Sequence, residues 1–134
     1  MEFQQDEIRK LVFTFYKKVR KDDDIGPIFN ERIAEDHWPP HLEKMCRFWG
    51  SMLGTGEQFA GNPMQAHLPM DEVQPQNFQS WLSLFDETCH EVFDDERAAF
   101  VLGKAQMVAN SLQMGMGLDR GKRGLENPFG PLRF

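Results

Sequence analysis

Ile8-Arg9-Lys10-Leu11-Val12-Phe13-Thr14-Phe15-Tyr16-Lys17-Lys18-Val19-Arg20-Lys21 is the stretch that decides how this chain folds. Ile8, Leu11, Val12, Phe15, Tyr16 and Val19 recur at i, i+3, i+4 and i+7, the spacing that lines one side of an α-helix. The stripe predicts a helix of about five turns. Lys17, Lys18, Arg20 and Lys21 crowd its C-terminal end, where the helix dipole favours cations. Asp22-Asp23-Asp24 ends it, and Ile25-Gly26-Pro27-Ile28-Phe29 follows as a turn or short irregular helix. Phe29 comes after the proline and is expected to be fixed by that turn rather than to sit mid-helix.

The same periodicity continues downstream. Pro39 and Pro40 suit the first turn of a helix, where a missing amide hydrogen costs nothing. His41, Met45, Phe48, Trp49, Met52 and Leu53 then share one side, up to a stop near Gly54. Gly54 to Pro63 reads as a loop, and Met64 to Leu68 as a short helical piece carrying His67 and closed by Pro69. From Pro75 to Phe93, Phe78, Trp81, Leu82, Phe85, Cys89 and Val92 fall in register. Asp94 and Asp95 cap a last helix through Ala98, Val101, Leu102, Ala105, Val108, Ala109 and Leu112. Gly103 inside it costs about 1 kcal/mol relative to alanine, which close packing against a neighbour would explain. No stretch alternates like a strand. The chain is expected to be all-α, with a domain over residues 1–116 and a flexible tail over 117–134.

Charge and composition narrow the function. A chain of 134 residues is one domain long, and a net charge of −6 argues against a general nucleic-acid binder. The charge is uneven. Arg120, Lys122, Arg123 and Arg133 against Asp119 and Glu126 make the tail +2 and leave −8 for the rest. The N-terminus has no basic start followed by an apolar run, and no apolar stretch approaches the ~20 residues that cross a bilayer. A cytoplasmic chain with no membrane partner is expected. Cys46 and Cys89 lack a Cys-x-x-Cys spacing and read as buried thiols; Cys89-His90 is no covalent haem-attachment motif.

Tyr16, Phe29, His41, His67 and Trp81 stand out among the remaining residues. Together they offer an axial nitrogen, a second imidazole, two polar aromatics and an aromatic wall. The set fits a buried haem iron, which needs one protein ligand and a shaped, mostly apolar cavity. Each also has a plain structural use: a histidine on an apolar face, a tyrosine in a stripe and a tryptophan at helical spacing are commonly core residues. His37 and His90, beside acidic neighbours, read as solvent-facing. A haem-free helical interaction module therefore stays open on the residues alone.

The order of several segments goes further. Phe15-Tyr16-Lys17-Lys18-Val19-Arg20-Lys21-Asp22, Ile25-Gly26-Pro27-Ile28-Phe29 and Trp38-Pro39-Pro40-His41-Leu42-Glu43-Lys44-Met45 come first. Phe48-Trp49, Gly61-Asn62-Pro63-Met64-Gln65-Ala66-His67 and Phe78-Gln79-Ser80-Trp81-Leu82 follow. In this order they resemble the truncated haemoglobins of the third group, over about residues 5 to 115. The chain has no Gly-Gly pair, a feature of the other truncated groups.

The resemblance implies a two-over-two helical sandwich around a non-covalent haem b. His67 would be the proximal ligand to the iron, and Phe29 would pack on the haem ring. Tyr16, His41 and Trp81 would line the distal side, Tyr16 and Trp81 as hydrogen-bond donors and His41 as a gate. Met45, Phe48 and Phe78 would line the cavity, Lys44 would meet a haem propionate, and Trp49 would be core. At Phe59 the chain departs from the tyrosine common in the family, so no phenol there reaches a propionate. Dioxygen heads the implied partners, with nitric oxide, carbon monoxide and peroxide beside it. Redox turnover, peroxidase-like or towards nitric oxide, stays open as an alternative and would need an outside reductase, since no nicotinamide or flavin fingerprint is present.

Overall fold

A computed structural model describes residues 2–55 and 73–115. The loop after Gly54, the short segment with His67, Phe59 and the basic tail lie outside the described residues. Within them every regular element is helical: α1 (Gln5–Lys21), α2 (Gly26–Arg32), a 3₁₀ turn (Glu35–His37), α3 (Trp38–Met52), α4 (Pro75–Val92) and α5 (Asp95–Gly115). α4 packs on α5 and on α1, while α1 also packs on α3 and α2. The fold is the all-α sandwich expected from the sequence. No helix among the described residues is long and apolar enough to cross a membrane.

Each helix end has a local cause. At the start of α1, Gln4 and Glu7 satisfy one another's amide hydrogens as a capping box. Pro27 and Pro39 sit in the first turns of α2 and α3, where no hydrogen bond is lost. Phe29 is therefore mid-helix, contrary to expectation: its amide donates to the Ile25 carbonyl and its carbonyl accepts from Ile33. Proline at an N-terminal position starts a helix instead of interrupting one. α3 stops where Gly54 takes a φ of +77°, a left-handed conformation that suits glycine, and Thr55 donates back to the Gly50 carbonyl. The Asp94 carboxylate accepts from the Arg97 amide and caps α5.

Two glycines carry opposite lessons. A Cβ on Gly26 would meet the Val19 and Arg20 carbonyl oxygens at 3.0 Å, so only glycine lets α2 start against the end of α1. Gly103 has nothing within 4 Å of its virtual Cβ, so the close packing expected there is not found. Its helix is held by other faces, where Ala98, Val101 and Ala105 are fully buried.

The core follows the predicted stripes. Ile8, Leu11, Val12, Phe15, Tyr16 and Val19 from α1 pack with Trp49, Phe85 and Cys89 in one cluster. Cys46 and Cys89 are buried free thiols, as expected. Burial, with the Asp86 charge adding to it, pushes the Cys89 thiol up to about 12 and keeps it neutral. His37 and His90 are exposed.

Candidate functional site

Three of the five residues singled out in the sequence meet in one aromatic cluster. Tyr16 lies on the buried stripe of α1, His41 one turn into α3 and Phe29 in α2. The Tyr16 ring sits edge-on to His41 with centroids 5.2 Å apart, and to Phe29 at 5.9 Å. Tyr16 is only 5 % exposed. Burial alone raises its phenol well above the usual 10.0, so it remains a hydrogen-bond donor across the physiological range. The Nε2 atom of His41 is sealed from solvent.

Trp81 stands one ring away. It stacks on Phe85, with planes 9° apart and centroids at 5.4 Å, and meets Phe15 edge-on at 5.5 Å. Phe15 in turn touches Tyr16 at 5.0 Å. Tyr16 and Trp81 are thus joined through Phe15, a residue the sequence presents as one of the α1 stripe. Trp49 stacks on Phe85 at 4.9 Å and is buried, as its core assignment requires.

The apolar residues expected to line a cofactor cavity take graded positions. Phe48 and Phe78 are buried, Phe29, Met45 and Trp81 are partly buried against the core, and Lys44 is exposed on α3. His67 and Phe59 lie outside the described residues. Among the described residues no group of His, Cys, Asp or Glu could hold a metal ion by itself.

Sequence reasoning missed two residues that position the cluster. Trp38 is buried and packs on both Tyr16 (5.9 Å) and His41 (5.4 Å), while the Arg20 guanidinium lies 4.6 Å over its ring. The signal was present, because Trp38 and His41 are i, i+3 neighbours on α3. Asp24, read as a helix-ending acid, accepts hydrogen bonds from Ser80 (2.6 Å) and Asn77 (3.2 Å) on α4. It ties the α1–α2 corner to the helix carrying Trp81. No sequence signal marks a contact of that separation.

Comparison with known proteins gives the class of this arrangement. A family profile described as bacterial-like globin matches residues 4–113, and the chain belongs to that family. Among its relatives is a group 3 truncated haemoglobin of Campylobacter jejuni, 40 % identical over 112 residues, covering 81 % of this chain and 87 % of the relative. The crystal structure of the group III truncated haemoglobin from Campylobacter jejuni superposes with a TM-score of 0.80 at 37 % identity, over 86 % of this chain and 92 % of that one. Within the bacterial-like globins, the chain falls among the group III truncated haemoglobins.

Proposed function

We propose that this chain holds one haem b through His67 and binds dioxygen, and with it carbon monoxide and nitric oxide, beside Tyr16, His41 and Trp81. The observation that carries the reading is the sealed pairing of Tyr16 and His41 with Phe29. A phenol and a ring nitrogen kept out of water among aromatic rings suit a largely apolar planar cofactor with a polar centre. Phe29, Met45, Phe48 and Phe78 would supply the apolar walls, and exposed Lys44 would meet a propionate at the rim. When bound, the haem supplies an open iron position at which a diatomic gas is held.

The chain's own part is to decide how firmly the ligand stays. Tyr16, kept protonated by burial, donates a hydrogen bond to a partly charged acceptor, a contact of about 1.5–3 kcal/mol. Trp81 is held by stacking on Phe85 and backs the cluster through Phe15. Slow release follows, which suits retention or sensing better than bulk delivery. Redox turnover of peroxide or nitric oxide is the second reading; it is favoured by an imidazole next to the phenol and needs an electron donor from outside the chain.

Dissociation rates of dioxygen test the assignment. Tyr16→Phe should release ligand about ten-fold faster or more, the lower end of the hydrogen-bond range above. Trp81→Phe should release it faster by a smaller factor. Wild-type rates in both variants would remove the distal assignment.

A further inference from the structure

The outer face of α1 carries three free lysines in one stripe. Lys10, Lys17 and Lys21 lie at i, i+7 and i+11, are exposed, and pair with no carboxylate among the described residues. The helix's other cations near this face are held: Arg9 by Glu43, Lys18 by Glu87 and Glu91, and Arg20 by Glu35. Acids bound the stripe without crossing it. Asp6, one turn before Lys10, accepts from the Glu7 amide, and Asp22, after Lys21, accepts from the Asp24 and Ile25 amides. Phe13 stands beside the lysines, 39 % exposed, with the Arg9 guanidinium 5.0 Å over its ring. We propose that this face docks an acidic one-electron carrier protein, which seats on Phe13 and the three lysines and delivers an electron towards the Tyr16–His41 pocket. The proposal rests on the haem reading above.

Position selects a redox partner. α1 shows the lysines on its outer side and buries Tyr16 on its inner side. The Arg20 guanidinium lies 4.6 Å over the Trp38 ring, and Trp38 packs on Tyr16 at 5.9 Å and on His41 at 5.4 Å. The lysine face and the distal cluster are therefore back to back on one helix. The partner touches none of these buried rings, since an electron crosses a packed layer without contact. Dioxygen binds only ferrous haem iron, and the chain carries no nicotinamide or flavin fingerprint, so reducing power comes from outside under either functional reading. In the step proposed, the carrier is oxidised by one electron and the ferric iron of a bound haem is reduced to ferrous. No bond in this chain forms or breaks.

Size and sign narrow the partner further. Electron-transfer encounters bury less than about 1,200 Å² and are steered by charge, which one exposed aromatic with a rim of lysines can supply. Anionic membranes take clusters of about 4–8 Lys and Arg, and DNA binders make about 6–10 phosphate contacts, more than this face offers. The chain's own tail carries +2 and is repelled by the lysines. Because the whole chain carries −6, an acidic partner is repelled elsewhere and admitted here, which fixes its orientation. Phe100, the other exposed large apolar side chain among the described residues, already lies against Phe3 and under Lys104.

A bacterial flavodoxin, an acidic protein carrying one flavin, is the probe. Its binding to the full chain is followed by association and dissociation rates, and its electron delivery by stopped-flow absorbance after haemin loading. Haem uptake is read separately from the absorption spectrum, so a failure of the haem reading and a failure of docking show apart. Saturable binding is expected, weakening ten-fold or more between about 0.01 and 0.15 M ionic strength, as the Debye length falls from about 30 to 8 Å. The variant Lys10→Gln/Lys17→Gln/Lys21→Gln, altered only at exposed side chains, should bind about ten-fold more weakly, mainly through slower association, and should be reduced more slowly by a similar factor. Phe13→Ala should dissociate about five-fold faster. Lys104→Gln, on α5, should match wild type in both measurements. Absence of saturable binding, insensitivity to salt, wild-type binding by the triple variant, a comparable loss in Lys104→Gln, or binding without electron delivery to a haemin-loaded chain would overturn the proposal. A wild-type dimer that the triple variant lacks would do so too, by assigning the face to the acidic Asp94-Asp95-Glu96 corner of a second copy.

Discussion

Raising the pH past the ordinary phenol value should not ionise Tyr16 while the fold is intact. Tyr16 is the only tyrosine of the chain, so phenolate absorbance reports this one site. Burial lifts its pKa above the usual 10.0, with no charged neighbour contributing. Above that pH the unfolded chain releases the phenol proton and the folded chain retains it. Stability contributed by the neutral phenol is therefore full below 10.0 and is lost as pH rises towards the folded value. The loss is about 1.4 kcal/mol for each pH unit, one proton's worth. Lys18 adds a slope of the same sign: burial works against its charge, but the Glu91 and Glu87 carboxylates outweigh this and raise it. Tyr16→Phe separates the two, because it removes only the phenol's share. Urea unfolding followed by circular dichroism at a series of alkaline pH values, with phenolate absorbance recorded on the same samples, measures both quantities. Phenolate should appear only together with loss of helix, and the variant's stability should fall less steeply by about one proton. Half-titration near pH 10 with helicity intact, or equal slopes in both proteins, would refute the account of Tyr16 as a sealed donor.

Two further outcomes follow from the packing. Phe85 is 1 % exposed and touches Phe15, Trp49 and Trp81, so Phe85→Ala should cost about 3–5 kcal/mol in denaturant unfolding; a loss below 1 kcal/mol would mean the ring is not the hub described. Arg97 pairs with Glu7 at 3.0 Å and holds its carboxyl below the usual 4.5, so that contribution is present above 4.5 and lost as pH falls through the lowered value. The advantage of wild type over Arg97→Gln should accordingly shrink in acid, while the Asp94 cap, which rests first on the Arg97 backbone amide, persists in both; a constant difference from neutral to acid pH would contradict this.

What could be read from the sequence was what periodicity and helix punctuation encode. The α1 stripe placed Phe15, Tyr16 and Val19 in the core, Pro39 and Pro40 marked the start of α3, and Gly54 marked its stop. Trp49 and the two cysteines went inside for the same reason. Contacts between helices were not legible. Trp38 sits in the quoted segment, yet its packing on Tyr16 depends on how α3 crosses α1, which no local rule fixes. Phe15 looked like one of six similar stripe residues, and only the approach of α4 makes it the bridge between Tyr16 and Trp81. Asp24 does lie where α1 has ended, as expected, but its tie to α4 was not legible because its partners, Asn77 and Ser80, are more than fifty residues away. Gly103 shows the converse error: a glycine in a helix suggests close approach, but here no neighbour is near.

The central claim is that one haem is held through His67. Reconstitution of wild type and His67→Gly with haemin, followed by absorption spectra with and without added imidazole, measures it directly. Wild type should take up one haem per chain with a histidine-ligated spectrum, His67→Gly should lose that spectrum, and imidazole should restore it. A wild-type chain that takes up no haem stoichiometrically, or a His67→Gly variant with the wild-type spectrum, would contradict the account.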